Sequence, residues 1–166
     1  HFTTYDHPSR LAGFDAKSSS LEAQVANLAD EIAYYSHDLD DGLDAELLSE
    51  KELRRSARIW HDAARAVKKE HGDIPDECRR YFVIRCLIDG QVLDVVNTTT
   101  ARIDAAGVKS ADAVRLFPKA LVQYSSERRR QNLELRDFLY QNLYFNPEVN
   151  EHNSRAVRML GELFQY

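Results

Sequence analysis

The chemistry that this sequence could carry is concentrated in residues 20–42, SLEAQVANLADEIAYYSHDLDDG. Asp30, Tyr34 and Asp38 are spaced four residues apart, so on an α-helix they form one row, each about a turn above the last. The apolar side chains on roughly the opposite side are those of Leu21, Val25, Leu28 and Ile32. A buried carboxylate in such a row needs a cation or hydrogen-bond donors. The row is therefore the first candidate for a functional site.

A polar row opposite an apolar stripe also has an ordinary explanation, because a surface helix normally exposes charged residues to solvent. The aromatic rings of Tyr34 and Tyr35 favour a different interpretation, in which the helix is covered on both sides. Small residues support it, since they leave little of the circumference that must face water: Ala23, Ala26, Ala29 and Ala33. In that case Asp30 is a buried or half-buried carboxylate. From the residues alone both interpretations stay open.

Three segments of this stretch, residues 21–25, 29–34 and 37–43, resemble a known family. They are similar to the C-terminal metal-ligand helix of the HD-domain deoxynucleoside triphosphate triphosphohydrolases, the bacterial dGTPase-like family. Such enzymes hold a divalent metal with a His, an adjacent His-Asp pair and a distant Asp. That distant Asp begins a D-x-x-x-Y-x-x-x-D pattern, which is matched here by the row. The resemblance extends more loosely over almost the whole chain.

The resemblance implies a role for each residue of the row. Asp30 is implied as a ligand of a divalent metal of the Mg or Mn type, since carboxylate oxygen suits a hard cation. Tyr34 is implied to pack its ring against the deoxyribose. Asp38 is implied to accept a hydrogen bond from the sugar 3′-hydroxyl. The implied reaction is hydrolysis of a dNTP, dGTP-like, to deoxynucleoside and triphosphate.

The other ligands of that metal are not expected in this chain. In the family they lie well upstream of the distant Asp, whereas only 29 residues precede Asp30 and none forms an HD pair. His37-Asp38 spells HD, but in this resemblance it is not the metal-binding pair, which lies well upstream in the family. We interpret His61-Asp62 as a surface pair and His7 as a solvated loop residue. We therefore expect residues 1–166 to be a single helical domain, the C-terminal fragment of a longer enzyme. Alone it is expected to be inactive, and we assign no catalytic residue to it.

The fold predicted from the sequence is all-α, a bundle of about five or six helices in the C-terminal part of an HD-domain phosphohydrolase. Six Gly and four Pro favour helices with short connections. After a loop at 1–19, the predicted helices are 20–42, 49–71, 75–106, a short one within 109–122 broken at Pro118, 126–145 and one from about 150. We expect a Ser19–Glu22 capping box and a left-handed C-cap at Gly42. The 75–106 helix is apolar nearly all round, which predicts a place in the middle of the bundle.

Basic side chains cluster on three of these helices. Arg79, Arg80 and Arg85 open the 75–106 helix, and the resemblance suggests that they approach the substrate phosphates, which a guanidinium fork matches. The 49–71 helix has a basic face, and Arg128 to Arg130 begin the 126–145 helix. Solvation is the ordinary explanation, and binding of a polyanion is the functional one. The alternative function is a non-catalytic helical module for oligomerisation or regulation that contacts nucleic acid through these helices.

Composition and charge indicate which partners and which cellular compartment to expect for the protein. A net charge of −5 argues against a dedicated nucleic-acid binder. No apolar run approaches the ~20 residues needed to span a bilayer. The polar residues at the start lead us to expect no signal peptide there. Cys78 and Cys86 are interpreted as free buried thiols, consistent with a reducing compartment. We expect a cytoplasmic homo-oligomer without a membrane partner.

Overall fold

The computed structural model of the protein describes residues 18–164, apart from the side chain of Glu77. Regular structure in this range is helical, without strands, which confirms the all-α prediction. The seven α-helices of the described range are α1 (Leu21–Asp44), α2 (Glu50–Ser56), α3 (Arg58–His71), α4 (Asp76–Ala106), α5 (Ala111–Leu116), α6 (Ser126–Leu139) and α7 (Pro147–Leu163). A π-helical turn, Tyr140–Tyr144, follows α6. The loop expected at 1–19, with His7, lies outside the described residues except for Ser18 and Ser19.

The chain divides into two compact units. Within the described range, one unit contains residues 18–36 together with Arg85–Arg129, and the other contains His37–Ile84 and residues 130–164. Buried apolar side chains of the first unit include Ile32, Tyr35, Leu87, Val114, Leu121 and Val122. Those of the second include Leu39, Leu43, Leu53, Trp60, Val67, Val83, Leu135, Phe138, Leu139 and Leu143. Each unit therefore has buried apolar side chains of its own, and the helices α1, α4 and α6 have residues in both units.

The helix predicted over 49–71 is in fact two helices, because the chain is extended at Ala57, with φ −120° and ψ 101°. Ala57 is fully buried, so packing in the core overrides the high helix propensity of alanine. The next residue, Arg58, begins α3, and its backbone N–H donates to Glu134 Oε2 at 3.4 Å. The apolar residues that recur at helical spacing in this segment are buried on both sides of the break: Leu53, Ala57, Trp60, Ala64 and Val67.

The N-terminus of α1 is capped by Ser20, so the capping box predicted for Ser19 is wrong. Since the first helical residue is Leu21, Ser20 is the residue in the N-cap position, and its Oγ accepts from the backbone N–H of Ala23 at 3.3 Å. The pKa of Glu22 is lowered, first by a hydrogen bond from its own backbone N–H and then by one from the Ser20 hydroxyl.

Gly42 lies inside α1, which ends at Asp44, so its predicted role as a left-handed C-cap is wrong. The reason for glycine is close packing: a Cβ added at this position would lie 2.6 Å from Cδ1 and 2.8 Å from Cγ of Leu48. The buried Leu48 is fixed there, because its backbone N–H donates to the Gly42 carbonyl at 2.9 Å. By contrast, Gly72 and Gly107 have positive φ and directly follow α3 and α4, whose ends agree with the predicted helix ends at 71 and 106.

Replacing Gly42 with alanine is expected to destabilise the protein by about 1–3 kcal/mol, since the added methyl group forces Leu48 from its site. Gly161→Ala is the matched control, because it also lies in a helix but an added Cβ meets nothing within 4 Å. We expect the control to be neutral or to stabilise by up to ~1 kcal/mol through helix propensity. Urea unfolding measures both variants. Equal effects at the two positions would contradict the packing explanation.

Several apolar side chains of α4 are exposed, so this helix is not enclosed in the way that its composition predicted. The exposed side chains within the described structure are those of Tyr81, Val92, Leu93 and Val96. Cys86 is partly buried but Cys78 is exposed, and the prediction of two buried thiols is wrong for Cys78. Among the described residues, the structure has no helix that combines the length and the apolar character needed to cross a membrane.

The last helix, α7, begins at Pro147, earlier than the predicted start near residue 150. Asn146 is its N-cap, and the side-chain oxygen of Asn146 accepts from the backbone N–H of Glu148 at 2.9 Å. Proline suits the first helical position because no intrahelical bond is lost there. No residue of α7 is buried in the described structure, and its apolar side chains Val157, Met159, Leu160 and Leu163 are exposed.

Candidate functional site

Asp30 and Tyr34 lie on an open face of α1 in the first unit. Asp30 is exposed, and the side chain of Tyr34 is 55% exposed. The interpretation that Asp30 is a buried carboxylate is therefore wrong for the described structure. The ring of Tyr34 packs edge-on against the buried Tyr35, with a centroid distance of 5.8 Å. The residues beside this pair are small and exposed, Ala26, Ala29 and Ala33, so the Asp30 carboxylate and the Tyr34 ring are accessible.

Asp38 lies further along α1, in the second unit, where it is half-buried. Its Oδ2 atom accepts a hydrogen bond from the hydroxyl of Tyr144, which lies 106 residues away in the sequence. Tyr144 is the last residue of the π-helical turn, and its ring packs edge-on against that of Tyr140 at 4.9 Å. The guanidinium of Arg136 lies over the Tyr140 ring, 5.5 Å from its centre. Asp38 is therefore held by an aromatic cluster that the sequence analysis did not identify.

The π-helical turn interrupts the helix that was predicted to be continuous over 126–145. The backbone N–H of Phe145 donates to the carbonyl of Tyr140 at 3.1 Å, five residues back. The side chain of Asn142 donates to the Phe138 carbonyl at 2.8 Å, one turn before it. Single π turns are frequent at functional sites, because the extra residue relocates the side chains that follow. Helical periodicity gives no signal for such a turn.

Two of the predicted phosphate-binding arginines are already in ion pairs within the second unit. Arg80 bonds to Asp44 at 2.7 Å and approaches Asp40 at 3.5 Å. The hydrogen bond to Asp44 is the main reason that the pKa of Arg80 is raised above its ordinary value. Arg79 pairs with Asp76 at 2.6 Å and Glu50 at 3.4 Å.

These carboxylates compete with a phosphate for the two guanidinium groups. In the first unit Arg85 is exposed. Phosphate contact by Arg79, Arg80 and Arg85 stays a prediction.

The described residues do not by themselves form a metal site. A hard divalent cation takes about six or more oxygen ligands in proteins. Between residues 18 and 164, no three His, Cys, Asp or Glu side chains come together in a group that could hold a metal ion. Asp30 fits the chemistry of a single carboxylate ligand. The His61-Asp62 pair lies on the surface of α3, which confirms the interpretation made from the sequence.

One cleft of the second unit is lined mainly by acidic and amide side chains. Its carboxylates come from Glu52, Glu134 and Asp137, and its amides from Gln141 and Asn142. Like charges repel, so these carboxylates disfavour a triphosphate. We therefore do not assign the substrate to this cleft.

Comparison with known proteins finds related sequences along nearly the whole chain. Residues 122–166 match the model of the phosphohydrolase-associated domain, a segment that includes α6, the π-helical turn and α7. A deoxyguanosinetriphosphate triphosphohydrolase-like protein of Caulobacter vibrioides is 42% identical over 146 residues, which are 88% of this chain and 37% of the relative. The protein of that name from Geobacter sulfurreducens is 34% identical over 167 residues, 99% of this chain and 43% of the relative.

A third protein of this name, from Azoarcus sp., is 39% identical over 145 residues, which are 87% of this chain and 38% of the relative. The chain thus spans about two fifths of the length of the curated relatives it matches. These matches confirm the family resemblance of the α1 residues. Over nearly its whole length, the chain is related to the deoxyguanosinetriphosphate triphosphohydrolase-like proteins.

Proposed function

We propose that this chain supplies a substrate-facing helix, α1, to a metal-dependent enzyme that hydrolyses a dNTP to deoxynucleoside and triphosphate, with a dGTP-like substrate. The observation that carries the proposal is the exposure of Asp30 and Tyr34 on α1, because a metal ligand and a sugar-binding ring must both be reachable. The name of the relatives, deoxyguanosinetriphosphate triphosphohydrolase-like protein, supports the reaction class.

In this proposal the three residues of the row divide the work of binding. Asp30 provides one carboxylate ligand to a divalent cation of the Mg or Mn type. Tyr34 offers a flat ring with a polar tip, which suits the apolar face and hydroxyl of a deoxyribose. Asp38 accepts the hydrogen bond of the 3′-hydroxyl. The remaining metal ligands and the group that activates water lie outside residues 18–164.

The test is the product analysis of the full-length protein with each of the four dNTPs. We expect deoxynucleoside and triphosphate in equal amounts, loss of turnover with a chelator, and recovery with Mg²⁺ or Mn²⁺. Formation of deoxynucleoside monophosphate and pyrophosphate would contradict the proposed bond cleavage. Residues 1–166 alone, shown to be helical by circular dichroism, are expected to release no triphosphate.

A second candidate function is a helical module for self-association or regulation that contacts nucleic acid. It is favoured by the basic side chains of α2 and α3, all exposed: Lys51, Arg54, Arg55, Arg58, Arg65, Lys68 and Lys69. Three of them form ion pairs with nearby acids, which reduces the charge available to a phosphate backbone. Binding of an oligonucleotide that weakens with salt and is lost on charge reversal of Arg55 and Arg65 would support this candidate.

A further inference from the structure

Tyr144 hydrogen-bonds to one oxygen of the Asp38 carboxylate, which is half-buried. The hydroxyl of Tyr144 donates to Oδ2 of Asp38. A carboxylate accepts hydrogen bonds at both oxygens, so Oδ1 can still accept from a second hydroxyl. Because the terminal torsion of an aspartate is broad, an unsupported carboxylate samples many orientations. The hydrogen bond from Tyr144 fixes the orientation of the Asp38 carboxylate plane.

Tyr144 is itself fixed, because the π-helical turn and its neighbours restrict its ring. The ring packs edge-on against Tyr140, with an angle of 86° between the two planes. Tyr140 in turn contacts Phe145 at 5.9 Å and lies beneath the guanidinium of Arg136. Backbone bonds of Phe145 and Asn146 to the turn close its C-terminal end. The hydroxyl of Tyr144 therefore reaches Asp38 from a well-supported position.

We propose that Tyr144 is a positioning residue, which orients the Asp38 carboxylate so that it recognises the 3′-hydroxyl of a deoxyribonucleotide. This inference rests on the proposed function, since it concerns how that site selects its sugar. It adds a residue from the far end of the chain to a row that the sequence places on α1 alone. The π-helical turn serves to bring the hydroxyl of Tyr144 to Asp38.

The experiment uses the full-length protein. It compares hydrolysis of each dNTP with hydrolysis of the 2′,3′-dideoxynucleoside triphosphate of the same base. The ratio of their kcat/KM values measures recognition of the 3′-hydroxyl. Tyr144→Phe keeps the ring and removes only the hydroxyl, and we expect the ratio to fall about tenfold, as for loss of a hydrogen bond to a charged group. Asp38→Asn should lower the ratio at least as much. The double variant should show no further fall, because both changes remove the same recognition.

Tyr140→Phe is the matched control: it removes a hydroxyl from the same turn while leaving the bond to Asp38 intact, and the ratio should not change. A merely structural role of Tyr144 would lower kcat/KM equally for both substrates, and that result overturns the inference. An unchanged ratio in Tyr144→Phe, or additive losses in the double variant, also overturns it. A wild-type protein that hydrolyses no dNTP would overturn the proposed function, and this inference with it.

Discussion

Replacing Asp30 with asparagine in the full-length protein is expected to lower kcat/KM for dNTP hydrolysis by at least about 100-fold. Loss of a supporting group near a metal ligand already costs ~10–100-fold, and loss of a ligand's charge is more severe. Asparagine keeps the size of the side chain but removes the negative charge that a hard cation prefers. Because Asp30 is exposed, the free energy of unfolding should change by less than about 0.5 kcal/mol. Loss of activity without loss of stability is the expected pattern.

The control for this variant is Asp41→Asn, which makes the same change at another exposed position of α1. We expect Asp41→Asn to retain turnover. A titration with Mg²⁺ or Mn²⁺ adds a second measurement: Asp30→Asn should need a higher metal concentration for half-maximal activity, whereas the control should not. Unchanged turnover in Asp30→Asn would instead favour the non-catalytic module.

The sequence predicts those parts of the structure that depend on local periodicity. The row of Asp30, Tyr34 and Asp38 follows from four-residue spacing on a helix, and α1 is helical across all three positions. The glycine stops at Gly72 and Gly107 follow from the backbone freedom of glycine. Such signals lie within a few residues of the feature that they predict, which is why one sequence suffices to read them.

The features that the sequence did not predict depend on contacts between distant residues. Ala57 breaks a helical pattern because its site in the core requires extended backbone, although alanine favours helix. Position 42 requires glycine because Leu48 leaves no space for a Cβ atom there. From the sequence alone, a glycine near a helix end is interpreted as a C-cap. The bond between Tyr144 and Asp38 spans 106 residues and has no local signal. Packing and hydrogen bonds between segments decide these positions, and they overrule propensity.

Gln24→Leu is expected to destabilise the protein by about 2–5 kcal/mol, because it removes hydrogen bonds between residues that are far apart in the sequence. Gln24 is buried in the first unit, and its Oε1 atom accepts from the backbone N–H groups of Leu121 at 2.8 Å and Val122 at 3.0 Å. Its Nε2 atom donates to the Ser19 carbonyl at 2.8 Å and to Ser18 Oγ at 3.2 Å. Leucine cannot accept, so two buried N–H groups lose their partner, at about 1–3 kcal/mol each.

Urea unfolding followed by circular dichroism measures this loss, and Gln123→Leu provides the control. Gln123 lies next to Val122, in the segment between α5 and α6. The hydrogen bond of its side chain to the Ala120 carbonyl, at 2.9 Å, is exposed to solvent. Because water can replace an exposed partner, the control should lose less than about 1 kcal/mol. Similar losses in both variants would show that Gln24 is not needed to satisfy the backbone of Leu121 and Val122. A much larger loss in Gln24→Leu would establish that a polar residue on α1 fixes the segment leading into α6.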